Sequence, residues 1–432
     1  MSEKRIILGA GITGLTAGMK TGFPIYEALG HPGGICASYF IAPGSKAVKI
    51  ARTKDDDSYE FSIGGGHWIF GCDDEVARLI NRFSPVKAVA RKSAVYFPRR
   101  KLYAEYPIQN NVKRLGRGVE ERVARELPKD PSAISARTMK DWMLKRFGPT
   151  LFGLFFGPFH ERYTAGLFAR IAPQDLYKTP SDVRRPKPES GPKAAEKGVG
   201  YNAAFVYPAS GMNSLIYGLA RSCDVRYNKR VVKIDIKKRA VFFSDGTSVG
   251  YARVISTLPL DKMLELTGLG KRAGRKDPHT SVLVLNIGAV RGSACPDDHW
   301  LYLPKSSSGF FRAGFYSNVD NSFLPVSPRV NSRRVSIYVE RAFMPEKNPS
   351  GAVIKKYSEF VARELQGWKF IKKIEVIDPN WVDVAYTWSW PDSGWRERAI
   401  KVLDGESIRQ TGRYGLWRFQ GIADSIKQGL GV

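Results

Sequence analysis

The chain has 432 residues, of which 43% are hydrophobic and 12% aromatic, a composition typical of a folded protein rather than a disordered or fibrous one. Lys and Arg outnumber Asp and Glu by 68 to 41, and the net charge of +27 favours phosphate-bearing ligands. Because these cations are dispersed and no nucleic-acid-binding motif accompanies them, we expect no nucleic acid partner. No apolar run is long enough to span a bilayer, so a cytoplasmic protein is predicted.

The cysteines are scattered and form no CxxC pair: Cys36, Cys72, Cys223 and Cys295. We therefore predict free thiols, without a disulfide framework and without a metal site.

The chain opens with a strand, a glycine turn, a helix and a second strand. Gly9, Gly11 and Gly14 have the GxGxxG spacing, which lets backbone amides approach a pyrophosphate at the helix N-terminus. Glu27 ends the second strand, where a carboxylate can bind both ribose hydroxyls. This order predicts a dinucleotide-binding fold.

A second glycine pair favours FAD over NAD. Gly33 and Gly34 follow the acidic residue, and the segment ends at Ser38, a pattern typical of flavoproteins of the glutathione reductase type. The chain then leaves the strand–helix alternation of nicotinamide dehydrogenases by about residue 45.

The remaining segments predict an α/β fold with three parts. Residues 1–110, 200–268 and 400–432 are predicted to form a Rossmann-like FAD-binding domain, because alternating strands return after residue 200. Residues 111–199 have helical periodicity and end in a Pro-, Lys- and Gly-rich connection, which predicts a helical insertion with a mobile loop. Residues 269–399 are strand-rich and predict an antiparallel substrate domain.

Several motifs resemble those of the UDP-galactopyranose mutases, in the same order along the chain. They are IGGGHWIFG (63–71), AEYPIQNNV (104–112), GYNAAFVYPASGM (200–212), VISTLPL (254–260), WLYLPKSSSGFFRAGFYSN (300–318) and GRYGLWRF (412–419). Together they span nearly the whole chain.

The resemblance implies roles for individual residues around the flavin. Gly65, Gly66 and His67 would lie over the flavin near N5, and Arg413 would contact the FAD pyrophosphate. For His67 the alternative is that it only exposes its backbone, so no acid–base role is assigned to it.

Other positions are implied on the substrate side. Tyr302 and Arg312 match the pair that holds the substrate diphosphate, as the guanidinium fork suits phosphate, although Arg312 could instead lie on a solvated sheet face. Tyr106, Gln109 and Asn202 would line the same side. The structural alternative is that Tyr106 packs beside a proline and that the Gln109 amide caps the start of a helix.

The chain departs from the family pattern at several positions. The second diphosphate-binding cation could be Lys178, Arg184 or Arg185. Phe419 and Trp390 stand where tyrosines are expected, which predicts altered sugar or phosphate contacts. Neither the sugar nor the base is therefore assigned.

The implied activity is a redox-neutral interconversion of pyranose and furanose forms of a nucleotide sugar. Reduced FAD N5 would attack the anomeric carbon, and an external reductant such as NAD(P)H would supply the reduced flavin. Two alternatives remain: a flavin oxidase or desaturase of the amine oxidase or protoporphyrinogen oxidase type, and a non-catalytic protein that keeps FAD as a structural element. The oligomeric state is not predicted.

Overall fold

The structure is a computed structural model that describes residues 5–52, 56–129, 134–174, 203–327, 333–345 and 348–432. The described strands are β1 (Arg5–Leu8), β2 (Ile25–Tyr26), β3 (Ser38–Ile41), β4 (Tyr59–Ser62), β5 (Val86–Ala90), β6 (Ser93–Phe97), β7 (Leu102–Glu105), β8 (Ala204–Pro208), β9 (Val225–Arg226), β10 (Val231–Asp235), β11 (Ala240–Phe243), β12 (Ser248–Gly250), β13 (Arg253–Ser256), β14 (His279–Arg291), β15 (Trp300–Tyr302), β16 (Arg312–Phe315), β17 (Arg334–Phe343), β18 (Ile371–Thr387) and β19 (Ile408–Gln410).

The α-helices of these ranges are α1 (Ile12–Thr21), α2 (Asp74–Asn81), α3 (Arg117–Glu126), α4 (Met139–Leu151), α5 (Gly157–Tyr163), α6 (Met212–Arg221), α7 (Leu260–Thr267), α8 (Gly270–Ala273), α9 (Tyr316–Val319), α10 (Gly351–Gly367), α11 (Trp395–Asp404), α12 (Gly412–Gly415) and α13 (Ile422–Leu430). A π-helix (Phe152–Phe156) joins α4 to α5. None of the helices in the described ranges has the length and apolarity needed to cross a membrane.

A five-stranded parallel sheet has the order β19-β13-β1-β2-β9. Its centre, β1, is the apolar run RIIL, of which the last three residues are buried. Helix α1 follows directly and ends at Gly22, whose left-handed backbone conformation closes the helix. The Rossmann-like α/β fold predicted from the sequence is therefore confirmed.

A seven-stranded sheet has the order β18-β14-β17-β16-β15-β6-β7. Its pairs are antiparallel except for β15 with β6, which is parallel. Strand β14 lies between two long neighbours, and Leu285 pairs with Val339 on one side and with Pro379 on the other. Strands β6 and β7 belong to this sheet although they lie within the 1–110 segment that the sequence assigns to the FAD-binding domain. The division into three domains stays a prediction.

The helices between residues 117 and 163 cover one face of the seven-stranded sheet with aromatic side chains. Phe147 stacks on Phe156 with ring centroids 3.8 Å apart. From α5, Phe159 contacts Tyr302 with centroids at 5.5 Å, and Tyr163 contacts Tyr386 at 4.7 Å. This helical layer therefore forms one wall of the region in front of β15 and β16.

We expect Leu285→Ala to lower the free energy of unfolding by about 2–5 kcal/mol, because it leaves a cavity in a core that cannot fully collapse. Leu285 is fully buried at the centre of β14. Val232→Ala is the control, since Val232 is 52% exposed, and should change stability by less than about 0.5 kcal/mol. Urea denaturation followed by circular dichroism measures both, and equal losses would contradict the assigned core.

Candidate functional site

The first glycine turn lies between β1 and α1 and permits two close approaches. Gly9 has φ +95°, a conformation that favours glycine. A Cβ atom at Gly14 would overlap the carbonyl oxygen of Gly9, so the helix can start this close to the strand only because Gly14 lacks a side chain. A Cβ at Gly11 would meet no protein atom within 4 Å, which leaves its backbone open to a ligand.

Glu27 lies at the end of β2, beside this turn. Its carboxylate accepts hydrogen bonds from the backbone amides of Ala10 at 2.7 Å and Leu29 at 2.9 Å. A cavity of about 820 Å³ begins at the neighbouring residue, Ala28, and is lined also by Leu258, which follows β13. The acidic side chain is thus fixed next to a space that opens from the same edge of the parallel sheet.

The second glycine pair closes against the first turn. Gly33 has φ +107° and donates a backbone hydrogen bond to Ala10 at 2.8 Å, and Gly34 has φ +55°. Ser38 begins β3, and its backbone exchanges hydrogen bonds with the side chain of Asn213. The two glycine segments, separate in sequence, therefore form one surface.

The third glycine loop, between β4 and α2, packs against β17. A Cβ at Gly66 would overlap the Tyr338 hydroxyl, and one at Gly65 would lie 3.1 Å from Oε1 of Glu340. His67 Nδ1 lies 2.8 Å from the Gly65 carbonyl oxygen, to which it can donate. The pKa of His67 is lowered to about 4, mainly by burial and in smaller part by the nearby Arg413 and Arg312, while the Gly65 hydrogen bond raises it. The imidazole is neutral near pH 7.

Tyr302 and Arg312 come together as the sequence predicts. They are directly paired on β15 and β16, and Arg312 is in turn paired with Glu340 on β17. The Arg312 guanidinium makes two hydrogen bonds to the Glu340 carboxylate, one of them 2.6 Å long from Nη2. The side chains are 15% and 3% exposed, so Arg312 does not lie on a solvated sheet face.

A second arginine, missed by the sequence analysis, stands beside Tyr302. Arg91 Nη2 donates to the Tyr302 hydroxyl at 3.1 Å, and its guanidinium lies 5.0 Å from the Trp300 ring centroid. Tyr106 packs on Tyr302 with centroids 4.5 Å apart and lies 5.4 Å from Arg91. The only sequence signal is a lone arginine between β5 and β6, which indicates nothing by itself.

Gln109 does not cap a helix, because the short 3₁₀ turn Ile108–Asn110 begins at Pro107 without a side-chain cap. The capping alternative is therefore wrong for this residue. Gln109 is buried instead, four residues after Glu105, where β7 ends.

Arg413 also lies near His67, among aromatic rings. Its Nη2 donates to the Ala385 carbonyl oxygen at 2.6 Å, and its guanidinium lies 4.5 Å from the Phe419 ring centroid. Phe419 stacks on Tyr386, a second residue that the sequence analysis missed. Gly412 has φ +78° and lies close to Thr13 of α1. The segment that contains Arg413 therefore lies next to the first glycine turn.

Trp390 lies next to two cationic residues of the segment before β14. Its Nε1 donates to the Lys276 carbonyl oxygen at 3.0 Å, and Arg275 lies 4.8 Å from its ring centroid. Trp388, two residues earlier, is the buried member of the pair and packs on Tyr163. The side chain that reaches the aromatic wall is thus Trp388, which follows directly after β18 ends at Thr387, whereas the chain has left the strand by Trp390.

The predicted residues Lys178, Arg184, Arg185 and Asn202 lie outside the described residues. Within the described ranges, no group of three His, Cys, Asp or Glu side chains is arranged to hold a metal ion.

The described residues fit a bound FAD. The open backbone at Gly11, the packed helix start at Gly14 and the fixed carboxylate of Glu27 match the needs of a pyrophosphate and an adjoining ribose. Gly65 and Gly66 carry no side chains, which lets this loop pack directly against Tyr338 and Glu340 of β17.

We expect Gly14→Ala to weaken FAD binding at least about tenfold and to lower the melting temperature without FAD, because the new Cβ pushes α1 off β1. Gly11→Ala should also weaken FAD binding but leave that melting temperature unchanged, since its Cβ meets no protein atom. Flavin titration and thermal melts separate the two effects. Full FAD affinity in Gly11→Ala would contradict a ligand at this turn.

The pKa of His67 predicts a pH dependence of stability. Because the folded pKa is about 4 and the ordinary value is 6.5, the unfolded chain binds the proton first as pH falls. The His67 contribution is therefore full above pH 6.5 and is lost as pH falls toward 4. We expect His67→Asn to flatten the fall of the unfolding free energy across this window, measured by denaturation at several pH values. An unchanged slope would show that His67 takes up its proton in the folded protein.

Comparison with known proteins agrees with this geometry. The structure of a reduced UDP-galactopyranose mutase superposes with a TM-score of 0.80 and 21% identity, covering 100% of this chain and 93% of that one. A putative protoporphyrinogen oxidase from Exiguobacterium sp. 255-15 gives 0.68 and 11%, covering 100% and 98%. A putrescine oxidase bound to putrescine gives 0.59 and 12%, covering 99% and 97%. At these identities the likeness shows the fold alone.

The family model of the flavin containing amine oxidoreductases matches residues 15–274, more than half of the 432-residue chain. The matched span includes Glu27, the second glycine pair and the loop around Gly65. FAD is accordingly the cofactor, and the chain belongs to the flavin containing amine oxidoreductase family.

Proposed function

We propose that this flavoenzyme is a nucleotide-sugar mutase that interconverts pyranose and furanose forms of a nucleoside diphosphate sugar. The observation that carries the proposal is the row formed by Tyr302, Arg312 and Glu340 across three paired strands, directly beside Gly65. This row places the buried Arg312 guanidinium and the Tyr302 hydroxyl next to the Gly65 loop, which the flavin ring would face. Full-length superposition on a UDP-galactopyranose mutase supports the same function.

The residues on the two sides of this row suit a diphosphate. Arg312 offers a planar guanidinium fork, and the Tyr302 hydroxyl adds a neutral donor. Arg91 already donates to that hydroxyl at 3.1 Å, so it brings a second positive charge to the same place. Tyr106 packs on Tyr302 and excludes water from one side. Gln109, Asn202, Lys178 and Phe419 complete the proposed substrate contacts.

Glu340 is a positioning residue in this proposal. Its carboxylate fixes the position of the Arg312 guanidinium through an ion pair. This ion pair offsets the cost of burying the Arg312 charge before substrate binds. A substrate diphosphate would then bind the remaining N–H groups. When bound and reduced by a donor such as NAD(P)H, FAD supplies a nucleophile for the anomeric carbon. His67 stays neutral and holds the Gly65 loop through its hydrogen bond.

One observation favours a second function, a flavin oxidase or desaturase. The Arg312 charge is already balanced by Glu340, so a neutral substrate could lie against the aromatic rings of Tyr163, Tyr386 and Trp388 without leaving the Arg312 charge unpaired. The matching family model describes flavin containing amine oxidoreductases, and the similar structures include a putrescine oxidase as well as the mutase.

The test uses the purified holoenzyme with UDP- and GDP-sugars, with and without dithionite, and chromatography of the pyranose and furanose forms. Interconversion that requires reduction would establish the mutase and identify the sugar and the base. If nucleotide sugars are inert and an amine or another organic substrate reduces the flavin with oxygen as acceptor, the oxidase function replaces it.

For the active sugar, we expect Arg312→Lys to lower kcat/KM by about 100-fold, because an ammonium cannot bind a carboxylate and a diphosphate in one plane. Arg341→Lys is the matched control. Arg341 is on β17, directly after Glu340, but its guanidinium packs over Phe343 and Tyr357. Its replacement should keep kcat/KM within about threefold. Equal activity of the two variants would contradict a role of Arg312 in substrate binding.

A further inference from the structure

Helix α10 lies on the face of the seven-stranded sheet opposite to the site. Its buried residues Tyr357, Val361 and Leu365 pack into the same core as Val339 of β17. Glu340, the next residue along β17, points to the other face, where Arg312 and the Gly65 loop lie. Anything that binds the outer side of α10 therefore leaves the site open.

The outer side of α10 combines exposed apolar and cationic side chains. Val353 is 54% exposed and Phe360 is 47% exposed. Lys356 and Arg363 alternate with them at spacings of three and four residues, so all four share one helical face. The Arg363 guanidinium lies 4.8 Å from the Phe360 ring centroid, so the aromatic ring and the positive charge are in contact on this face.

The cations continue beyond the helix. Gln366 Nε2 donates to the Lys372 carbonyl oxygen at 3.1 Å, which ties the start of the edge strand β18 to the helix end. We call the combined surface the basic face of α10; its exposed cations are Lys355, Lys356, Arg363, Lys369, Lys372 and Lys373.

Few acids balance this charge. Glu359 is the exposed acidic residue of the helix, and the Glu364 carboxylate is taken up by the backbone amides of Ser307 and Ser308 at 2.6 and 2.8 Å. The basic face is therefore strongly positive, in keeping with the net charge of +27 of the whole chain.

We propose that the basic face of α10 docks the protein onto an anionic lipid bilayer, as a peripheral contact. Cations that surround exposed apolar side chains match a surface where lipid phosphates lie next to acyl chains. The helix is about 25 Å long at about 1.5 Å per residue, so it can lie flat on that surface. A nucleic acid would use the cations but would gain nothing from Val353 and Phe360, and for that reason the lipid surface is favoured.

The test is flotation of the FAD-loaded protein with two kinds of vesicle, phosphatidylcholine alone and phosphatidylcholine mixed equally with phosphatidylglycerol. We expect binding to the mixed vesicles only, weakened by added salt. Lys356→Glu with Arg363→Glu should weaken it roughly tenfold or more, because two attractive charges become repulsive. Phe360→Ser should weaken it at unchanged charge, and flavin content and melting temperature verify that each variant folds.

The matched control is Arg122→Glu with Arg125→Glu on α3, which changes the same charge on another exposed helical surface. It should keep the wild-type affinity within about twofold, since its cations do not accompany an exposed aromatic ring. Equal loss in both double variants would overturn the proposal in favour of nonspecific attraction by the net charge. Unchanged vesicle binding of Phe360→Ser, or binding of a DNA duplex but not of vesicles, would overturn it as well.

Discussion

The ion pair between Arg312 and Glu340 governs the arrangement of the candidate site. A guanidinium that is 15% exposed needs a compensating charge, and only the neighbouring strand β17 provides one in direct register. Because Glu340 also lies against Gly65, the glycine loop and the cation meet at the same carboxylate. Loss of this one group would leave the Arg312 charge without its ion-pair partner.

The site depends on parts of the chain that are far apart in sequence. The parallel sheet brings together β1, β13 and β19, whose residues begin at 5, 253 and 408. The glycine turn and Glu27 come from the first of these segments, and Arg413 comes from the last. The seven-stranded sheet contributes Tyr302 and Arg312, and α5 closes the front with aromatic rings. The flavin site and the proposed diphosphate site thus share one boundary, the Gly65 loop.

Local backbone requirements made the cofactor site predictable. Only glycine permits the close contact at position 14, and a carboxylate is required at the end of the second strand. Both requirements appear as a recognisable motif within about 20 residues of sequence. Pairing between distant strands leaves no such pattern, so the partner of Arg312 and the role of Arg91 could not be inferred. The contact of Trp388 with Tyr163 has the same origin, since it depends on where the chain leaves β18.

The helix α13 packs along α1 with glycine at the contact. A Cβ at Gly429 would lie 2.6 Å from the Thr13 carbonyl oxygen, and Asp73 of the α2 cap pairs with Lys427 on the same helix. The first helix of the cofactor domain is therefore covered by residues made some 400 positions later. During synthesis, the face of α1 that α13 covers stays exposed until α13 has left the ribosome, and chaperones can bind this apolar face until then.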